Sequence, residues 1–264
     1  MLLRDKVAVV YGGGGAIGGA AARAFAREGA TVYLTGRTAG KLDAVAGEIT
    51  RAGGRARGAV VDALDLDAMN RHANGVVEEA GRIDVAFGAI GIMHVQGTPL
   101  ADLGLDDYEH PIRAYSRACF VMAKAVVPHM ASRRSGVILT MSTQAARISF
   151  PGVLGFGTAC AAIEGFARHL AAEVGPSGVR VVCLRSDALP EAVAHGSHAK
   201  DVFQPVAQRM NTTVEAMLAG ESAGLLKRYP RLAEIANAAV FAASEQGGAL
   251  TGTTLNLTCG ASVD

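Results

Sequence analysis

The first residues with chemistry to offer stand together near the N-terminus. Tyr11-Gly12-Gly13-Gly14-Gly15-Ala16-Ile17-Gly18 follows a short apolar run and opens a pattern of small residues at helical spacing. A turn of this kind between strand and helix lets bare backbone approach a pyrophosphate. The N–H groups and dipole at the helix start favour its negative charge. Gly12, Gly14, Gly15, Ala16, Ile17 and Gly18 are therefore the candidate phosphate-binding residues. A tight turn holding no ligand is the plainer alternative, and Gly18 with Gly19 and Ala20 also permits close helix–sheet packing. The next strand ends in Thr35-Gly36-Arg37-Thr38. Sites specific for NAD carry an acid near this point to bond the adenosine ribose, and none is present. Arg37 can instead pair with a ribose 2′-phosphate through planar, charge-assisted hydrogen bonds, with Thr38 adding a hydroxyl. A solvated surface arginine would read the same. Asp62, followed by Ala63, closes the third strand, where its carboxylate can take the adenine amino group. The set predicts a dinucleotide site that prefers NADP(H), with NAD(H) as the alternative.

These residues need a scaffold, and the hydrophobic pattern supplies one. Strands are predicted at Val7–Tyr11, Thr31–Thr35, Arg57–Val61, Ile83–Phe87, Val137–Met141, Val179–Leu184 and Thr254–Leu257. Helices are predicted between them at Ile17–Glu28, Lys41–Arg51, Ala68–Glu79, Asp106–Ala131, Phe156–Val174 and Arg231–Ala243. Pro111 falls in the first turns of Asp106–Ala131, where proline is best tolerated. The alternation implies an α/β fold: a single Rossmann-type, doubly wound parallel sheet with helices on both faces. The stretch 190–229 breaks the rhythm and carries two helical patches. It reads as an insertion over the C-terminal edge of the sheet, where ligands of such folds bind. No composition shift marks a second domain, so residues 1–264 read as one dinucleotide-binding domain.

Composition removes other classes. Half of the 264 residues are hydrophobic, enough for a large core. The net charge is +1 with no block of like charges, which argues against a nucleic-acid stripe or an anionic-membrane surface. No apolar run approaches the ~20 residues of a membrane span. Met1-Leu2-Leu3-Arg4-Asp5-Lys6 lacks the pattern of a signal peptide. Cys119, Cys160, Cys183 and Cys259 are too scattered for a disulfide or zinc framework. The expectation is a cytoplasmic protein with reduced thiols, a small-molecule substrate and no metal.

From the glycine turn to the last strand the chain resembles the short-chain dehydrogenase/reductase family. Gly12, Ala16 and Gly18 match the family's TGxxxGxG turn, with Tyr11 for its threonine and Ala16 for its middle glycine. Asp62 matches the aspartate after its third strand. Phe87-Gly88-Ala89-Ile90-Gly91 aligns with its VNNAG segment, keeping Gly91 and losing both asparagines. Lys124–Met130 and Leu250–Leu257 resemble the end of its long helix and its closing strand. The resemblance implies an NAD(P)-dependent oxidoreductase. It also implies a homotetramer or homodimer paired through the helices Asp106–Ala131 and Phe156–Val174. The second of these has Ala161, Ala162, Gly165 and Ala171 to allow close approach. The family's catalytic set is a serine, a tyrosine thirteen residues on, a lysine four further and an asparagine on the long helix. Those positions here hold Thr143 (with Ser142 beside it), Phe156, Cys160 and Tyr115. In the family's site the tyrosine gives a proton to the carbonyl oxygen as hydride arrives. The lysine lowers that tyrosine's pKa and bonds the nicotinamide ribose. Phe156 keeps the shape without the donor, and Cys160 removes the cation. A positioned general acid is worth ~10²–10⁴-fold, or roughly 3–5 kcal/mol, so ketone reduction would need another proton source.

Several residues are candidates to compensate, each with a plainer role beside it. Tyr115 offers a phenol or packs at the helix surface. Thr143 and Ser142 can bond an oxygen or satisfy the strand end. Cys160 lines the pocket as a thiol or packs in the core. His94 can titrate near neutral pH or sit solvated in a loop. Arg147 can fix an acidic substrate or form a surface ion pair. Asp187 stands where the family carries a Pro-Gly turn, at the nicotinamide end; it can bond the amide, act in the chemistry or cap a turn. His195 and His198, three apart, lack the carboxylate pattern of a metal site. Two functions stay open. One is hydride transfer to or from NADP(H) by a non-standard proton route, with an imine, whose iminium form is already charged, or a polarised C=C bond as the substrate. The other is a nucleotide-holding protein, or a redox-neutral enzyme, using the same pocket.

Overall fold

Five apolar residues in a row, Val7–Tyr11, are buried throughout, as a strand covered on both faces requires; they form β1. The computed structural model describes residues 1–263. After β1 come α1 (Ala16–Arg27), β2 (Thr31–Gly36), α2 (Ala39–Arg51), β3 (Arg55–Val60), α3 (Leu66–Ala80) and β4 (Val85–Gly88). The second half runs α4 (Leu105–Ser132), β5 (Gly136–Thr143), α5 (Leu154–Val174) and β6 (Val179–Ser186). Three further helices follow, α6 (Pro190–Ala194), α7 (Ala199–Arg209) and α8 (Val214–Ala219), then α9 (Leu232–Ala243) and β7 (Thr253–Leu257). The seven strands form one sheet in the order β3-β2-β1-β4-β5-β6-β7, and every pairing is parallel. The order reverses between β1 and β4, and a crevice opens there at the carboxyl ends of the strands.

The core is two apolar layers, one on each sheet face. Phe25, Val45, Ile49 and Ala239 carry α1, α2 and α9 onto one face. Met69, Val76, Val121, Met130 and Ile163 carry α3, α4 and α5 onto the other. Each large aliphatic or aromatic side chain so buried contributes about 1.5–3 kcal/mol. A smaller cluster of Val193, Ala207, Val214 and Leu218 ties α6, α7 and α8 together above the crevice. Residues 190–229 thus hold three helices where the sequence suggested two helical patches, because α6 and α8, of 5 and 6 residues, are too short to show a period.

Two differences bear on the site. α4 starts at Leu105, one residue before the expected start, with Pro111 in its second turn; a proline there cannot donate to the carbonyl of Asp107. α5 starts at Leu154, which puts Phe156 inside the first helical turn. Gly155 beside it lets α5 approach α4 closely: an added Cβ would lie 2.6 Å from the Tyr108 carbonyl oxygen. That approach brings the ring of Phe156 to 6.1 Å from the ring of Tyr115.

Candidate active site

The crevice has two connected parts. The first is a cleft of about 890 Å³ along the ends of β1, β2 and β3. Gly12 has φ +81°, and a side chain there would run into the carbonyl of Ala89. Gly18 packs against the carbonyl of Gly12 and does not line the cleft, so its part is to hold α1 close to the turn. Gly14, Gly15 and Ala16 do line it. Gly15 caps α1 without a side chain, and the first turn of α1 contains no acid. The N–H groups that open the helix therefore meet an anion without competition from a capping carboxylate. Ile17 lines the adjoining cavity.

At the far end of the cleft stand Arg37, Thr38 and Lys41. Thr38 is the N-cap of α2, yet its hydroxyl makes no capping bond. Asp62 and Ala63 form the opposite wall, and Asp62 Oδ1 accepts from the Leu64 N–H at 2.9 Å, which fixes the carboxylate. His198 lies against Gly91, where the two parts of the crevice meet. Burial lowers its pKa, and the charges of Arg37 and Lys41 add to that despite the opposing Asp201. The cleft is thus glycine-walled, basic at one end and ringed by N–H donors, and these residues fit a dinucleotide. His195 and His198 belong to this wall; among the described residues no three metal-ligating side chains gather.

The second part is a cavity of about 510 Å³ between α4, α5, the end of β5 and the helices α6, α7 and α8. Phe156 forms part of its wall and stacks on His94, with centroids 4.4 Å apart and planes 13° from parallel. His94 is therefore packed and not solvated. Its Nδ1 lies 2.7 Å from the Ile92 carbonyl oxygen and its Nε2 2.9 Å from Gln96 Nε2. The first contact requires the Nδ1–H tautomer, and burial lowers the pKa, which keeps the ring neutral. Tyr115 Oη accepts from the Ile92 N–H at 3.3 Å and lies 3.5 Å from the Ile92 oxygen. Burial raises its pKa, so the phenol keeps its proton.

Cys160, one turn after Phe156, is buried, with Sγ 3.4 Å from Thr143 Oγ1. Burial pushes its thiol up to about 11, so at neutral pH it is neither base nor nucleophile. Thr143 Oγ1 also accepts from the Ala145 N–H. Ser142 Oγ turns the other way and donates to Glu164 Oε1 at 3.0 Å. Glu164, one further turn along α5, is bidentate with Arg185: Nε to Oε1 is 2.7 Å and Nη2 to Oε2 is 2.8 Å. Ser142 and Arg185 are register partners on β5 and β6, so one carboxylate reaching down from α5 fastens both strand ends. The sequence reading missed this network. Its signal was an acid four residues after Cys160 in an alanine-rich helix, and an arginine in an apolar strand.

Asp187, just after β6, is buried and lines the cavity. It accepts from Gln144 Nε2, from the Ala188 N–H at 2.6 Å and from Ser222 Oγ at 3.3 Å. Burial raises its pKa, and those three donors only partly offset this. Arg147 is exposed and lies outside the cavity lining.

With sheet order, glycine turn and crevice in place, comparison with known proteins gives the class. Residues 6–199 match the family model for short chain dehydrogenases. The short-chain reductase protein NovJ of Streptomyces niveus is 33% identical over 255 residues, covering 96% of this chain and 93% of that protein. D-threitol dehydrogenase of Mycolicibacterium smegmatis is 29% identical over 96% of this chain and 91% of its own length. A dehydrogenase/reductase crystal structure from Sinorhizobium meliloti superposes with a TM-score of 0.81 at 28% identity, covering 99% of this chain and 96% of that one. The chain belongs to the short-chain dehydrogenase/reductase family, whose members are oxidoreductases using nicotinamide dinucleotides. No helix among the described residues is long and apolar enough to cross a membrane.

Proposed function

We propose that this protein is an NADP(H)-preferring oxidoreductase that moves hydride to or from a small, mainly apolar substrate without the family's tyrosine–lysine pair. The observation that carries this reading is the junction at Gly91. There the glycine-walled cleft meets a mainly apolar cavity whose wall presents Phe156 and the buried thiol of Cys160. Gly12, Gly14, Gly15 and Ala16 would hold the pyrophosphate, Arg37 and Thr38 the 2′-phosphate, and Asp62 and Ala63 the adenine. Gly91 and Asp187 would border the nicotinamide. Bound there, the cofactor supplies or accepts a hydride. Tyr115, with its proton held by burial, and Thr143 would hydrogen-bond the reacting group, and Ser142 would be held in place by Glu164. A neutral phenol orients an oxygen or nitrogen but is a weak acid, so the reading favours an imine or an activated C=C bond over a simple ketone. The 190–229 insertion covers the substrate, and the family's pairing of α4 and α5 makes a dimer or tetramer the expected state. The test is a fluorescence titration with NADPH and NADH, followed by a screen of ketones, imines and enones. Tighter NADPH binding and consumption with an imine or enone support the reading. Binding without consumption by any acceptor would make this a nucleotide-holding protein.

A further inference from the structure

The cavity beside Phe156 has an uneven distribution of charge. Among the described side chains that line it, Asp187 is the one carboxyl group, and no lysine or arginine is present. The family's lysine position is the thiol of Cys160, so the cation expected in this wall is gone. His94 and His198, the two imidazoles in the lining, are both held toward the neutral form by burial. All three donors to Asp187 are uncharged: an amide, a backbone N–H and a hydroxyl. Gln144 spends its N–H on Asp187, which leaves its Oε1 buried without a donor among the described residues. Carboxylate and carbonyl therefore stand side by side as acceptors. The rest of the lining is largely aliphatic but includes five aromatic rings, Phe150, Phe156, Phe203, Tyr115 and Tyr229. Ring faces attract cations and give nothing comparable to a neutral carbonyl compound. A buried carboxylate without a cationic partner is costly, and a site that retains one is suited to a ligand that brings the positive charge.

We infer that the substrate is a cation, an iminium ion, held by Asp187 in this cavity. This rests on the oxidoreductase reading above and names its substrate class. Chemically, the iminium carbon accepts a hydride from a reduced nicotinamide dinucleotide, and the C=N π pair becomes the nitrogen lone pair. The dinucleotide is oxidised, and no proton is gained or lost in the step. The missing tyrosine and lysine then cost nothing. Attraction to Asp187 acts on the cation before hydride arrives. It therefore favours binding and not the chemical step, and its loss falls on KM.

Two probes test this without depending on one variant. N,N-Dimethyl-tetrahydroisoquinolinium is permanently charged and cannot accept hydride; its neutral carbon isostere is 2,2-dimethyltetralin. Calorimetry on the NADP⁺-loaded protein should show the cation binding about ten- to hundred-fold more tightly than the isostere. Equal binding overturns the inference. With N-methyl-dihydroisoquinolinium as substrate, Asp187→Asn should raise KM by a similar factor and leave kcat unchanged or higher. If Asp187→Asn instead weakens NADPH binding and leaves discrimination between cation and isostere intact, Asp187 serves the cofactor and the inference falls. Preferential binding of the cation with no NADPH consumption would uphold the cation site and remove the oxidoreductase reading on which it was built.

Discussion

Phe156→Tyr together with Cys160→Lys should create ketone reductase activity. The two positions lie one turn apart on α5, on the face toward the cavity. The phenyl ring already fills the site, so a hydroxyl is added to an existing shape. A lone phenol in this cavity would be a poor acid, as Tyr115 shows: burial there holds the proton on. The lysine is therefore the decisive half, because a nearby cation lowers a phenol's pKa. Its ammonium would also have a counter-ion within one turn, Glu164, already bidentate to Arg185. Against this, Cys160 is 1% exposed and touches Thr143, so a longer side chain must push its way in. Overpacking of that kind costs about 1–3 kcal/mol of stability. The expected gain in kcat/KM for a small aryl ketone is ~10²–10⁴-fold. Phe156→Tyr alone should give much less, and Cys160→Lys alone nothing. The assay follows the absorbance of reduced nicotinamide, after circular dichroism and an NADPH titration have shown that the variant is folded and loaded. A folded, loaded double variant that reduces no ketone able to fit would show that the site differs from the family's in more than its proton donor.

Three other perturbations have definite expectations. Arg37→Asp should reverse the order of NADPH and NADH affinities, with NADPH weakened about tenfold or more; equal affinities in the unaltered protein would remove the 2′-phosphate assignment. Glu164→Leu should cost about 3–5 kcal/mol, because it takes the bidentate carboxylate away from the buried Arg185 guanidinium, and in a urea double-mutant cycle the loss for Glu164→Leu with Arg185→Met should be smaller than the sum of the two single losses; additive losses would mean that the pair is not coupled. Asp187→Asn should stabilise the fold, since the raised pKa of Asp187 reports a cost of burying its charge. The folded protein binds that proton more tightly than the unfolded chain, so stability falls as pH rises from the ordinary carboxylate range through the raised value. The Tm advantage of the variant should therefore vanish at acid pH and grow toward neutrality; a constant or opposite difference would contradict the assignment of cost.

The sheet was readable because β1, β4 and β6 are short, almost unbroken apolar runs, each followed by small residues or a helix with one apolar face. β3 was readable only roughly: it is an edge strand, largely exposed, and its Arg55 start carries no apolar signal. The glycine turn was legible because glycines at Gly12 and Gly18 are demanded by contacts that no side chain could survive. The polar groups of the cavity were less so. His94 is a loop residue by local sequence, and only the tertiary stack on Phe156 makes it a packed, neutral ring. Gln144 and Ser222 meet Asp187 from segments 43 and 35 residues away, and no local pattern announces such a meeting. Glu164 and Arg185 each break a hydrophobic pattern; that the two breaks cancel one another is a fact of packing.

The most direct measurement is a single turnover with the unaltered protein in excess over NADPH deuterated at C4, mixed separately with an iminium salt, an enone and a ketone. Loss of the reduced-nicotinamide absorbance and the mass of the product are read together. The expected result is transfer of one deuterium to the carbon of the C=N or C=C acceptor, with the ketone unchanged. NADPH that binds and stays reduced with every acceptor would contradict hydride transfer at this site, and a ketone reduced as fast as the iminium would show that the cavity supplies a carbonyl acid after all.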